Sequence, residues 1–314
     1  MMIQDKLRPI RADGLKTLGE CVEEYLVYIT GVLSVSENTV KAYQNDLTGL
    51  LKMPFIDKNA PVSLVETEDL RRSIGELSKK HRASSTINRF IASFRSLFAY
   101  CRRLGYISIN PAISIHSVRE PKRLPRFMTQ AEIDALCSEP TKNEILWKER
   151  DVALFEVLYS SGCRVGEIAG LSIDNVSDDF SQALVTGKGK KDRIVYFSLD
   201  ATRALSEYLK SRAERFGEDD CEKSLFVNQH GGALSVRGIA YILNRYSGVE
   251  GTNHRVSPHA FRHTFATAMI SAGADVRLVQ ELLGHSSIST TQRYTHISTE
   301  KLIAMYNKAH PHGK

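Results

Sequence analysis

His259 and Arg262 stand three residues apart just behind Ser257 and Pro258. Ser followed by Pro is a favoured helix start, Ser as N-cap and Pro at the first helical position, so both side chains emerge on one side of the first turns. Free N–H groups and the helix dipole attract anions at such an end, and an imidazole beside a guanidinium makes it a place to hold a phosphate. A surface ion pair is the plainer alternative. His263 completes an i, i+4 pair with His259, but a zinc protease needs Glu directly after the first His, and Ala260 occupies that position. Gly187-Lys188-Gly189 is similar to part of a nucleotide-phosphate loop, yet that loop needs Ser or Thr after Gly-Lys. Neither a metal nor any cofactor is expected.

Two further groups lie near the end of the chain. Asp275 can cap a helix that buries Val276, Val279, Leu282 and Leu283, and Gly284 suits the left-handed position that ends it, so His285 emerges at the helix end. Tyr294 follows in the polar stretch STTQRYTH, flanked by Arg293 and His296, a setting unlike that of core filler, although a tyrosine taken alone is more often structural.

The elements that must position these groups are read from periodicity. From Leu18 to Tyr106 apolar residues recur at helical spacing, which predicts an all-helical domain of four or five helices. Ser36 opens one helix with Val40, Tyr43, Leu47 and Leu50 on its inner side and Thr39, Lys41 and Gln44 outside. Ser85 is expected to cap another, Thr86 to Arg103, with Ile87, Phe90, Phe94, Leu97 and Phe98 as its core stripe and Arg89, Ser93 and Arg95 off it. Residues 107 to 127 carry three prolines and a basic cluster and read as an extended linker. The domain reading is therefore 1–110, a linker over 111–126, and 127–314. In the second domain helical patterns dominate again, except that ALVTGKGKKDRIVYF predicts a β-hairpin with Lys188, Lys190, Lys191 and Arg193 at its tip. The fold class is mainly α with a small β-sheet, an α+β second domain behind an all-α helical bundle.

Composition narrows the partners. The 314 residues are 42% hydrophobic and 25% charged, enough for two domains with real cores. Net charge is +7 over residues 1–126 and −1 over the rest, and residues 71–126 hold 13 Lys or Arg against only Glu76 and Glu120. That density favours a polyanion such as nucleic acid, with a solvated helical face as the alternative. Cys21, Cys101, Cys137, Cys163 and Cys221 form no C-x-x-C pair, and no stretch approaches the ~20 apolar residues of a membrane span. A reduced, cytoplasmic protein is the expectation.

Four segments, GCRVGEIAGL (162 to 171), TGKGKKDR (186 to 193), HAFRHTFAT (259 to 267) and LLGHSSISTTQRYTH (282 to 296), occur in an order and spacing that together resemble the tyrosine recombinase (phage integrase) family, most of all its bacterial Xer members. The resemblance covers nearly the whole chain. It implies a core-binding helical domain and a catalytic domain that clamp DNA, and a catalytic set of Arg164, Lys188, His259, Arg262, His285 and the nucleophile Tyr294. By the same resemblance Tyr294 forms a 3′-phosphotyrosine, Arg164 and Arg262 bind the scissile phosphate, Lys188 protonates the leaving 5′ oxygen, His259 takes the phenolic proton and His285 hydrogen-bonds the phosphate. Glu167, one turn beyond Arg164, either holds another catalytic side chain in place or makes a simple i, i+3 ion pair. Thr39, Lys41, Arg89 and Arg95 are the candidate DNA contacts.

The implied partners are double-stranded DNA and either further copies of this chain or a paralogous recombinase in a cyclic tetramer on two sites, together with a septal DNA translocase. No membrane is involved, and the protein is expected to be nucleoid-associated. The amphipathic stretch from Ser298 to Ala309 is expected to dock on a neighbouring subunit, with docking in its own subunit as the alternative. The implied role is resolution of chromosome dimers at a terminus site. An integrase of a mobile element and a DNA-binding protein without cleavage activity are the competing readings.

Overall fold

Thr17 and Glu20 form a capping box in which each side chain takes up a free N–H of the other, and this starts the first helix, α1 (Leu18–Gly31). The computed structural model describes residues 16–33, 35–120, 128–143, 145–187, 191–217, 222–247, 256–284 and 306. The chain separates into two compact units, Met1–Arg123 and Leu124–Lys314.

In the first unit α1 is followed by α2 (Glu37–Leu51), α3 (Thr67–Lys79) and α4 (Ser84–Arg103). Ser36 caps α2, as its sequence predicts. α4 starts earlier than expected: its N-cap is Ala83, so Ser85 lies inside the first turn. Ser93 also departs from its expected outward position. It is fully buried, and its hydroxyl donates to Phe90 O at 2.8 Å, which satisfies the polar atom within the helix and lets it share the inner face with Ile87, Phe90, Ile91, Phe94, Leu97 and Phe98. The stretch read as a free linker from residue 107 is anchored through much of its length. Ile107, Ala112 and Ile115 are buried in this unit's core, and Asn88 holds Val118 by both its N–H and its carbonyl. Three widely spaced apolar residues leave no helical period, which is why the sequence reads as linker there.

The second unit is built around α6 (Lys148–Ser161), buried from Ala153 to Ser161 and packed against α5 (Gln130–Lys142), α8 (Leu199–Phe216) and α10 (Pro258–Ser271). Its buried charges, Arg150 and Asp151, pair with each other at 2.6 Å. Short α7 (Val165–Ala169) precedes the hairpin of β1 (Gln182–Thr186) and β2 (Asp192–Tyr196), whose antiparallel register pairs Val185 with Arg193. Among the described residues α9 (Val236–Tyr246) and α11 (Val276–Leu282) follow. Asp275 caps α11 as expected, but Val276 is exposed rather than buried because it begins the first turn, outside the inner stripe.

The fold is thus mostly helical with one small two-stranded sheet. Among the described residues no helix is long and apolar enough to cross a membrane.

Candidate active site

Gly162 ends α6 in the left-handed conformation, and a Cβ there would lie 2.4 Å from the Phe265 ring on α10. Only glycine fits so close an approach. The turn it makes delivers Arg164 to the start of α7 and brings the carbonyl of Gly162 within 2.8 Å of Arg262 Nη1.

Three arginines from three elements meet here. Arg262, from the second turn of α10, also donates from Nη2 to Leu283 O at 2.6 Å. Arg164 reaches Gly284 O at 3.4 Å through Nη2. Arg193, from β2, donates through Nε to Leu282 O at 3.1 Å. Consecutive carbonyls at the C-terminal end of α11, where the helix dipole is negative and acceptors are unpaired, therefore each take one guanidinium. The single carboxylate among them is Glu167, only 6% exposed. It accepts from Arg193 Nη1 and Nη2 at 3.0 and 2.8 Å, from Arg164 Nη1 at 2.9 Å and from the Arg164 backbone N–H at 2.8 Å. Of the two readings of Glu167, the i, i+3 ion pair with Arg164 is present, and its second partner is Arg193, which lies outside the expected catalytic set.

The electrostatics are lopsided. Burial alone would raise the Glu167 carboxyl, but the hydrogen bonds from Arg193 and from the Arg164 backbone outweigh it and hold it down at about 2. Burial, with repulsion from Arg164 next, depresses Arg262 to about 10, and Glu167 offsets only part of that. Three guanidiniums against one carboxylate leave a surplus of positive charge in a half-buried place. Such a place favours an anion with several oxygens, and planar guanidinium forks match a phosphate.

His259 lies exposed in the first turn of α10, one turn before Arg262. Ser257 adopts the N-cap position with Pro258 at the first helical position, as expected, although the Ser side chain makes no cap bond. Lys188, Lys190, His285 and Tyr294 lie outside the described residues. Arg193 is not at the hairpin tip, where the sequence put it. Its side chain is 14% exposed and faces inward, because it shares a strand face with Val195 two residues later. That period of two is the signal that the basic run GKGKKDR masks.

The expected DNA contacts sit on α2 and α4. Lys41 is 70% exposed with Glu37 at 3.7 Å, and Thr39 lies half-buried with its Oγ1 2.9 Å from Ser36 Oγ. Arg95 is half-buried. Arg89 forms a two-pronged pair with buried Asp46, at 2.8 and 3.0 Å, so its fork is engaged within the protein. Asp46 is a partner that sequence spacing gives no reason to choose.

Of the segment expected to dock on a neighbouring subunit, Tyr306 is the one described residue. It is buried within its own unit, its ring 6.0 Å from that of Tyr196 and its hydroxyl donating to Ser160 O at 3.0 Å. At this residue the single chain adopts the alternative, docking in its own subunit, which removes an apolar ring from water without a second copy.

Comparison with known proteins identifies the family of the chain. Residues 22–105 match the family model described as phage integrase, N-terminal SAM-like domain, and residues 126–301 match the phage integrase family. The tyrosine recombinase XerC of Treponema denticola is 41% identical over 306 residues, covering 94% of this chain and all of that protein. The XerC of Leptospira interrogans is 37% identical over 95% of this chain and 96% of its own length. Among solved structures, the Tn1549 transposon integrase in complex with circular intermediate DNA has a TM-score of 0.67 at 20% identity, with 92% of this chain and 98% of that one covered. A lambda integrase tetramer bound to a Holliday junction also gives 0.67 at 16% identity, over 90% and 78% of the two chains. Family models spanning both units and relatives alike from end to end leave one assignment: the chain belongs to the phage integrase family, and it is a site-specific tyrosine recombinase of DNA.

Proposed function

We propose that this recombinase resolves chromosome dimers at a terminus site during segregation, and that it acts through Arg164, Lys188, His259, Arg262, His285 and Tyr294. The observation that carries the chemical part is the surplus of guanidinium charge around Glu167, with Arg262 depressed to about 10. A phosphodiester between Arg164 and Arg262 relieves that repulsion, and the pentacoordinate transition state, with more charge on its non-bridging oxygens, relieves it further. Full-length likeness to proteins named XerC supports the chromosomal role over that of a mobile-element integrase.

In the proposed reaction the Tyr294 hydroxyl oxygen bonds to phosphorus as the bond from phosphorus to the 5′ oxygen breaks. A free phenol titrates near 10, so its proton must leave as the bond forms, and His259 receives it. Lys188 gives a proton to the departing 5′ oxygen. A 5′-hydroxyl of the partner duplex then attacks the phosphotyrosine in the reverse sense and frees Tyr294. The phosphodiester bond energy is kept in the covalent link, so strand exchange needs no nucleotide hydrolysis.

The DNA partner, a cyclic tetramer with copies or with a paralogue, and a septal DNA translocase that controls it belong to the same proposal, as does location on the nucleoid. The test is adduct trapping on a nicked duplex that carries the host's candidate dimer-resolution site. Wild type should give a salt-resistant 3′-linked adduct and Tyr294→Phe none. Binding without an adduct, even with the paralogue added, would leave a DNA-binding protein only. An adduct on a mobile element's ends but not on the chromosomal site would move the role to integration.

A further inference from the structure

We infer that Arg193 is a positioning residue for strand cleavage: it never touches the phosphate and acts by fixing Glu167, and through Glu167 the fork of Arg164. The inference rests on the proposed role of Arg164 at the scissile phosphate.

Three observations converge on Arg193. All three of its nitrogens donate within the protein, to both oxygens of Glu167, to Leu282 O and to Cys163 Sγ, and its side chain is 14% exposed, so it has little to offer a ligand. Its hydrogen bonds join the hairpin, α7 and the end of α11 through one side chain. Two glycines make room for it. A Cβ on Gly284, whose φ is +63°, would meet Arg193 Cδ and Nη1 at 3.2 Å, and a Cβ on Gly187 would meet Arg193 Nη1 at 3.3 Å and Glu167 Oε1 at 3.4 Å. The first glycine of the GKG run thus lies against this ion pair.

The geometry explains why a second arginine is needed. Arg164 reaches Glu167 Oε1 with one side-chain nitrogen and Oε2 with its backbone N–H, both from the start of α7, so these contacts alone tie the carboxylate to neither the hairpin nor α11. Arg193 grips both oxygens at once and fixes the carboxylate plane. Arg164 is then aimed by a braced partner, and a displacement of about 1 Å in such a group is enough to cost roughly 100-fold in rate. Lysine at 193 keeps the charge but cannot grip both oxygens and Leu282 O together.

The experiment measures single-turnover adduct formation by wild type, Arg193→Lys, Arg193→Gln, Arg164→Ala and Tyr294→Phe on three duplexes. One carries a normal phosphate at the scissile position mapped with wild type. One carries a methylphosphonate there, which removes a non-bridging charge and so removes the need for Arg164. The third carries a bridging 5′ sulfur, whose thiol titrates near 8.5 and leaves without a proton donor.

On the normal phosphate Arg193→Lys and Arg193→Gln should slow cleavage about 10- to 100-fold with DNA affinity within about twofold of wild type. On the methylphosphonate both should return to within a few-fold of wild type, together with Arg164→Ala. Rescue by the bridging sulfur instead would place the defect at leaving-group protonation and overturn the inference. So would normal rates for both variants on the phosphate, or an equal deficit on all three duplexes with a lowered melting temperature, which marks a fold residue. If wild type forms no adduct, or Tyr294→Phe does, the proposed function fails first and independently.

Discussion

The two units carry positive charge in opposite ways. The first, residues 1–123, holds a net +6, displayed on helix faces such as that of Lys41, where water and salt screen each charge. The second is nearly neutral overall, yet it gathers Arg164, Arg193 and Arg262 around one buried carboxylate and the end of α11. Net charge therefore points to the wrong unit for chemistry. Dispersed, solvated charge gives affinity for a polyanion and a strong dependence on salt. Concentrated, half-buried charge, held by acceptors that do not neutralise it, stabilises a transition state, because it needs no reorganisation when the substrate's charge grows.

The largest expected effect breaks that contrast at its centre. Arg164→Ala should lower the single-turnover cleavage rate about 100- to 1,000-fold while changing DNA affinity about twofold or less. A matching loss in both, read from a rate at saturating DNA and a titration of binding, would make Arg164 an ordinary affinity residue. Next is the pH behaviour of Glu167. Its carboxyl is held at about 2 in the folded protein and rises to near 4.3 when the chain unfolds. The depressed value stabilises the fold fully above the unfolded pKa, and that contribution is lost as pH falls from about 4.3 towards 2. Glu167→Gln should therefore melt at a lower temperature than wild type at pH 7, and the gap should narrow across that acid window in calorimetric scans. A gap independent of pH would mean that the carboxylate charge is not what holds the arginines.

Much of this was legible before any coordinates. Caps at Ser36 and Asp275, the proline at the start of α10, the glycine that ends α11 and the hairpin all follow from local chemistry that acts within a few residues. What sequence spacing misses are mostly side chains whose partners lie far along the chain, with Ser93 the local exception. The basic neighbours of Arg193 point to the tip, although the inward-facing Val185 opposite it and Val195 two residues on mark its face. Ser93 looked polar and therefore outward, but a serine that bonds the carbonyl one turn back can enter a core. Asp46, 43 residues from Arg89, follows from no local rule. Lone apolar residues such as Ile107, Ala112 and Ile115 anchor a segment that has no periodicity to reveal it.

The smallest effects sharpen the contrast from the side of the first unit. Arg89 and Lys41 both look like phosphate contacts by composition, but Arg89 is bound to Asp46, which is 8% exposed, and Lys41 faces water. Arg89→Ala should cost on the order of 1 kcal/mol of stability by leaving Asp46 without its charged partner, and Asp46→Asn added to it should recover part of that loss. A fall in DNA affinity with no change in melting temperature would reverse this and make Arg89 a DNA contact. Lys41→Ala should leave melting unchanged and reduce the slope of log affinity against log salt by about 1, the counterion released by one phosphate contact. Its cleavage rate at saturating DNA should match wild type, because a screened charge on α2 contributes to holding the duplex equally before and during the reaction, and uniform binding of that kind does not accelerate chemistry.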